Sequence, residues 1–513
     1  MNRTAIRIFG FLVGMMPILA SAASADPAAS IVDSAIRQMG GKSRLESVSG
    51  IRLLANAERN LLEQSIRPEW PWMHDFYRFD LTLDFTRQRL RAVERRYGHL
   101  GVLEPLAGTQ PSVEYWVQDG VAVAQIGQDL RPYSQALVQD AVEWNAMNPL
   151  RALLTAQASG TLKLEQDVTF QGVPHRVVTF QWQGNPASLL IDASTRLPSA
   201  VTWVSSRERD IFWNTWGDVT TRIRFNNWSL RPSGIRVPMQ WVVERNGLPE
   251  RSLELTSFEA NPPSASQEWK VPENVSRQVA AMPARIADLP LGLPNDPPKE
   301  IAPGVIRIPG RWDVTLVRQA DGVVVIEAPI SPAYAERVIA EAARWFPNEP
   351  IKAVVTTSDA WPHIAGLRTY AARRIPIYLL DLNQPLVDRL LSARFSIQPD
   401  ALSLHPAAPV LHSVAARERL GSGDNAIELI PLRTPVGERQ MLVLLRKQRM
   451  AYTSDLVQPA AGGNWYAPQM LSELVELFSR ERLDVSVCFG MHYGPTGWSE
   501  MRGALTEYLK EAP

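Results

Sequence analysis

Cysteine is nearly absent: the 513 residues hold one, Cys488, so no internal disulfide is available and stability has to come from packing. Set in VSVCFG among apolar neighbours, that thiol reads as a small core residue rather than a nucleophile. Net charge is absent as well. Lys plus Arg and Asp plus Glu balance at 53 each, and no long basic run supplies a local footprint, which argues against nucleic acid as a partner. There is no Gly-rich phosphate loop and no Gly-x-Ser-x-Gly elbow; GSGDN at 421–425 is too short and lacks the apolar helix that would follow. What remains is 45% hydrophobic, the composition of ordinary globular protein with room for two or three domains.

The chain opens MNRTAIRIFGFLVGMMPILASAASADP. Arg3 and Arg7 precede an apolar stretch that ends in Ala23-Ser24-Ala25, which predicts a secretory signal peptide over residues 1–25, cut after Ala25. The stretch is shorter than the roughly 20 residues a spanning helix needs and is interrupted by Gly14 and Pro17. No later run is long enough to span a bilayer, so a periplasmic or secreted protein without a transmembrane segment is expected. Pro283, Pro290, Pro294, Pro297, Pro298 and Pro303 crowd one stretch, exclude regular helix or central strand there, and mark residues 283–303 as a linker between domains at 26–282 and 304–513.

In the first domain, IVDSAIRQMGG places Ile31, Ala35, Ile36 and Met39 at helical spacing with Gly40 and Gly41 as the stop. Strand-like runs follow. Alternation such as Val178, Phe180 and Trp182 against Val177, Thr179 and Gln181, with frequent turns, predicts an antiparallel sheet with one face buried. Residues 148–157, NPLRALLTAQ, form the expected interrupting helix. The order of these pieces, with MGG at 39–41, LLIDASTRLPSAVTW at 189–203 and WSLRPSGIRVPMQW at 228–241, resembles the periplasmic lipoprotein-carrier type of fold, a helix on a curved antiparallel half-barrel. That resemblance implies an apolar groove, against the plainer reading of a packed accessory domain. The sixteen Trp residues, including Trp70, Trp72, Trp203, Trp213, Trp216, Trp228 and Trp241, are read as core or groove wall.

The second half alternates strands with helices: DVTLVRQADGVVVIEAP, then the amphipathic SPAYAERVIAEAARWFP, then IKAVVTTSD, IAGLRTYAARR and IPIYLLD, an α/β layer pattern. Here DGVVVIEAP, IKAVVTTSDAWPHIAGLR, MLVLLRKQRMAYTSDLVQP and LDVSVCFGMHYGPTGW occur in the order seen in metallo-β-lactamase-fold hydrolases, which the second half resembles almost throughout. Those enzymes place two metal ions at a sandwich edge, where the pair activates water and polarises the bond attacked. Carried over by position, the His-x-His-x-Asp-His run falls on Ser358, Ala360, Pro362 and His363, so three of its four ligands are missing. Residues 434–440, TPVGERQ, offer no His where the family has its next one. The bridging Asp falls on Asp455 and the last His on His492.

The resemblance therefore implies that His363, Asp455 and His492 keep one site of the pair, enough in donor type for a single zinc or other divalent metal. The alternatives are that the two histidines are merely hydrogen-bonded at a sheet edge while Asp455 caps a loop, or that the group does metal-free acid–base work. Asp359 occupies a slot that is not a ligand's and reads as a turn residue. His405 and His412 stand too early for the missing histidine, and His74, His99 and His175 lack metal-ligand spacing.

The expected fold class is α+β: an N-terminal curved antiparallel β half-barrel with a helix, then a C-terminal αβ/βα metallo-β-lactamase-like sandwich. Two functions stay open. One is an exported hydrolase with at most one metal and an unknown substrate, its catalytic residues not assigned. The other is an inactive relative that binds or scaffolds, with a small molecule or a lipid-like ligand as partner.

Overall fold

The computed structural model describes residues 26–63, 65–100, 112–266, 270–459, 465–466 and 468–510; the expected signal peptide lies outside them. Asp26 caps the first helix by accepting a hydrogen bond from the Ala28 N–H at 3.0 Å, and Pro27 takes the first helical position, where no N–H is needed. The helix, Pro27–Met39, buries Ala28, Val32, Ala35, Ile36 and Met39. It ends at Gly40, whose φ is 127° and where a Cβ would stand 2.6 Å from the Gly234 carbonyl oxygen, so only glycine fits.

That helix belongs to an open antiparallel sheet of fourteen strands. Its first strand, Gly50–Asn60, pairs with its last, Leu248–Ala260, on one side and with His74–Asp84 on the other. Alternation puts one face into the core: Val178 and Phe180 are buried while Gln181 is exposed. The helix expected at residues 148–157 spans Ala152–Ala158, and an unexpected helix, Ala136–Met147, precedes it. The latter escaped periodicity because its buried face carries Glu143 and Asn145 beside Ala136, Ala141 and Met147. Glu143 accepts hydrogen bonds from Arg207 and Ser205 at 2.7 and 2.9 Å, and Arg207 also binds Asp140. An ion-paired network centred on the buried Arg207 and Glu143 thus takes the place of apolar packing.

The C-terminal half stacks two sheets between helices. The first runs in the order Lys299–Ala302, Val305–Ile308, Val314–Gln319, Gly322–Ile326, Ile351–Val355, Ile377–Leu380 and Leu411–Val414. It is antiparallel through Gly322–Ile326 and parallel beyond. The Gly322–Ile326 strand, GVVVI, where the sheet turns from antiparallel to parallel, is buried on both faces. The second sheet contains Ile427–Pro431, Met441–Leu445, Met450–Tyr452 and Val487–Phe489. Along Met441–Leu445, Met441, Val443 and Leu445 join the core shared with the first sheet. Leu442 and Leu444 face the opposite core, with Leu474 of helix Pro468–Arg480 and Met501 of helix Trp498–Lys510. The result is the helix–sheet–sheet–helix sandwich expected, and the molecule is of the α+β class.

The strand Lys299–Ala302 falls inside the stretch read as linker. It is an edge strand, and its flanking Pro298 and Pro303 sit just outside its ladder, the places where proline is tolerated in sheets. Among the described residues no helix is long and apolar enough to cross a membrane.

Candidate metal centre

Strand register brings the site together. Met450–Tyr452 and Val487–Phe489 run parallel, with Tyr452 opposite Phe489. Asp455 and His492 each lie three residues beyond that pair, so the two side chains emerge side by side. Gly490 permits the crossing, since a Cβ there would stand 2.6 Å from the Tyr493 ring and 3.1 Å from the Ser454 carbonyl oxygen. From the other sheet, Ile351–Val355 also ends at this edge, and its loop leads to the single helical turn Trp361–Ile364 that carries His363. The sheets are tied here by the Met441 N–H, which donates to the Thr357 carbonyl at 2.9 Å.

The three groups meet. His492 Nε2 donates to Asp455 Oδ1 at 2.7 Å, Gln458 Nε2 donates to the same oxygen at 2.9 Å, and His363 Nδ1 stands 3.9 Å from Asp455 Oδ2. One ligand-type atom from each residue lies within 4.8 Å of the other two, the one such group of His, Cys, Asp and Glu among the described residues. His363 is buried, with the Trp312 ring edge-on at 5.6 Å, and among the described residues its Nδ1 has no hydrogen-bond partner. Burial holds its imidazolium down to about 4 against the opposing Asp455 charge, so the ring is neutral at neutral pH. Burial resists ionisation of Asp455, but His363 and the hydrogen bond from His492 outweigh it and hold the carboxyl below its ordinary value.

A neutral imidazole with an unpaired nitrogen, a second imidazole and an ionised carboxylate are the donor set a divalent metal needs, and the residues present fit one ion. They do not fit two. Ser358 is buried, its hydroxyl accepting from the Ala360 N–H at 3.2 Å, and the Pro362 carbonyl accepts from the Ile330 N–H at 2.7 Å. At residues 434–440, which hold no His, the Val436 and Gly437 N–H groups donate to the buried Glu473 carboxylate at 3.1 Å, so a carboxylate organises that loop. Asp359 lines the pocket but lies outside the group of three, and burial pushes its carboxyl up to about 8, making it a proton donor at neutral pH rather than an anion.

Beneath the site, Glu327, the residue after strand Gly322–Ile326, is fully buried with φ 77°. Burial pushes its carboxyl up to about 8, so at neutral pH it carries a proton. The Thr357 hydroxyl is hydrogen-bonded to the Glu327 carboxyl and to Ser454 Oγ, the latter at 2.7 Å, and the Ser454 hydroxyl donates to the Thr357 carbonyl at 3.0 Å. Ser454 precedes Asp455, so this relay ties the loop before His363 to the loop that carries the carboxylate.

The group lies in a cavity of about 380 Å³ whose walls come from both halves: Ile66, Met73 and Phe212 from the first, Trp312, Val436 and Met470 from the second. Sequence reasoning missed these wall residues; they are scattered along the chain, and no local pattern marks them. The other histidines whose side chains are described stand apart. His412 pairs with Glu418 at 3.0 Å on the surface, His405 is exposed, His74 pairs with Glu58 at 3.0 Å, and His175 binds Ser199 Oγ at 2.7 Å and the Val173 carbonyl at 2.9 Å. Cys488 is fully buried, and burial raises its thiol well above the ordinary range, as its core reading requires.

No family model and no curated protein matches the sequence. Among solved structures, the chain is similar to a metallo-β-lactamase from Erythrobacter litoralis, with 14% identity over 42% of this chain and 96% of that one and a TM-score of 0.31. It is similar to one from Pontibacter korlensis at 14% identity, 42% and 99% coverage and a TM-score of 0.33. It is also similar to the stereoselective inverting sec-alkylsulfatase of a Pseudomonas species at 17% identity, 41% and 40% coverage and a TM-score of 0.31.

Proposed function

We propose that the chain is an exported hydrolase of the metallo-β-lactamase kind working with one divalent metal, zinc in the first instance, held by His363, Asp455 and His492. The observation that carries this reading is the convergence of the three ligand atoms within 4.8 Å on the wall of a cavity large enough for a small substrate. A metal bound there would supply Lewis acidity and an acidified water. The chain's own residues supply the rest. Trp312, Phe212 and Met73 restrict water and offer an apolar seat, His363 is kept neutral, and the protonated Asp359 is positioned to donate a proton within the cavity.

A second reading, a binding or scaffold protein without catalysis, is favoured by the loss of the other metal's ligands at Ser358, Ala360 and Pro362.

Metal analysis of the purified protein after incubation with zinc tests the one-metal reading. About one equivalent is expected in the wild type and none in His363→Ala or His492→Ala. A wild type that takes up no zinc, manganese or iron sinks the hydrolase reading.

A further inference from the structure

Although His363 belongs to the C-terminal half, the short segment bearing it is gripped by the N-terminal half. The 3₁₀ turn Trp213–Trp216 reaches across, and the Trp361 ring stands edge-on to Trp213 at 4.9 Å and to Trp216 at 5.0 Å. Both contacts are close and T-shaped, the arrangement aromatic pairs favour. Trp361 is two residues before His363 in the same helical turn, and the Thr215 hydroxyl donates to the Trp361 carbonyl at 3.3 Å. Asn214 Nδ2 donates to the Ile330 carbonyl at 3.1 Å, and the Ile330 N–H in turn holds the Pro362 carbonyl. Every residue of the turn thus touches the metal loop or the segment supporting it, Trp213 and Trp216 through their rings and Asn214 and Thr215 through hydrogen bonds.

The grip is backed on both sides. The Arg245 guanidinium lies 5.6 Å from the Trp213 ring centre and is fixed by Asp140 at 3.1 Å and Glu250 at 3.2 Å, members of the buried network that also holds Arg207. Arg389, from the C-terminal half, covers the Trp216 ring at 4.4 Å. All three indoles are nearly inaccessible and belong to one core with the C-terminal strands.

We propose that Trp213, Thr215 and Trp216 are positioning residues for the metal loop: the N-terminal half holds Trp361 and thereby aims His363 at Asp455 and His492. The proposal rests on the one-metal reading, and its test separates the two. The full-length variant Trp213→Leu/Trp216→Leu is compared with Trp241→Leu, which removes an equally buried indole from the N-terminal core. Zinc affinity is read by competition with a chromophoric chelator. Hydrogen–deuterium exchange is read in the metal-free protein on the peptide covering residues 360–366.

The clamp variant is expected to weaken zinc at least tenfold and to raise exchange of that peptide, with Trp241→Leu within about twofold of wild type on both. Should the double variant fail to fold, Trp213→Phe and Thr215→Val carry the same comparison with smaller shifts in the same direction. Unchanged protection in the clamp variants, equal changes in Trp241→Leu, or raised exchange with unaltered zinc affinity overturns the proposal. A wild type that binds no zinc defeats the one-metal reading and with it any role of the clamp in aiming a ligand, while the exchange result still reports whether the turn holds the loop.

Discussion

Glu327 and His363 are both buried titratable groups, and burial moves them in opposite senses. Glu327 ionises near 4.5 in an unfolded chain and at about 8 in the folded one, so the unfolded chain releases its proton first. Stability is lost as pH rises through that window. His363 falls from 6.5 to about 4, and the stability tied to its neutral ring is lost as pH falls through that lower window. Between about 6.5 and 8 the Glu327 effect therefore stands clear of His363. In chelator-treated protein, the wild type is expected to show a lower denaturant midpoint at pH 8 than at pH 6.5, and Glu327→Gln a smaller drop; an unchanged drop would place the proton elsewhere. Asp359 titrates in the same sense and contributes to the remainder. At this scale the candidate group was legible, because His363, Asp455 and His492 stand in recognisable local frames and come together in the fold. The protonation of Glu327 and Asp359 was not, since it depends on what a fold buries around them.

Single elements show where pattern reading stops. Strands with alternating or fully apolar runs were legible, and Val178 with Phe180 or GVVVI at 322–326 lie where their periods require. Helix Ala136–Met147 was not, because Glu143 and Asn145 occupy its inner face and are matched by Arg207, Ser205 and backbone carbonyls far along the chain. Gly217, which ends the clamp turn, is another such case. Its φ is 64°, and a Cβ would stand 2.5 Å from the Arg394 carbonyl oxygen of the opposite half. Substitution thus meets both backbone strain and a backbone contact that cannot rotate away. Gly217→Ala is expected to destabilise by about 1–3 kcal/mol, measured by chemical denaturation; a change within about 0.5 kcal/mol, the usual scatter of surface substitutions, would mean the halves slide to accommodate it.

Across the whole molecule, the two halves share more than a clamp. Asp218 accepts from the Ser396 and Ile397 N–H groups at 3.0 Å, Arg67 pairs with Glu438 at 2.6 Å, and Glu69 pairs with Arg439 at 2.8 Å. Leu62, Trp213, Trp216 and Val219 are part of the C-terminal core itself. A fragment of residues 299–513 is therefore expected to bind a hydrophobic dye and to melt well below the full chain, whereas a fragment equal to the full chain in both would show the contact to be dispensable. The prolines at 283–303 suggested two halves, but the surface each buries against the other was not legible, because no residue along either half states which distant surface it will meet.

That shared core also bears on how the chain is made. Synthesis runs from the N-terminus, so Trp213 and Trp216 emerge well before the strands and the Trp361 that cover them, and the earlier half must wait with two indoles uncovered. The second half, when it arrives, finds part of its interior already presented as a template. Any machinery that carries the unfinished chain would have its apolar handhold there, and a chain interrupted between the halves would be the form most prone to stick to its own kind.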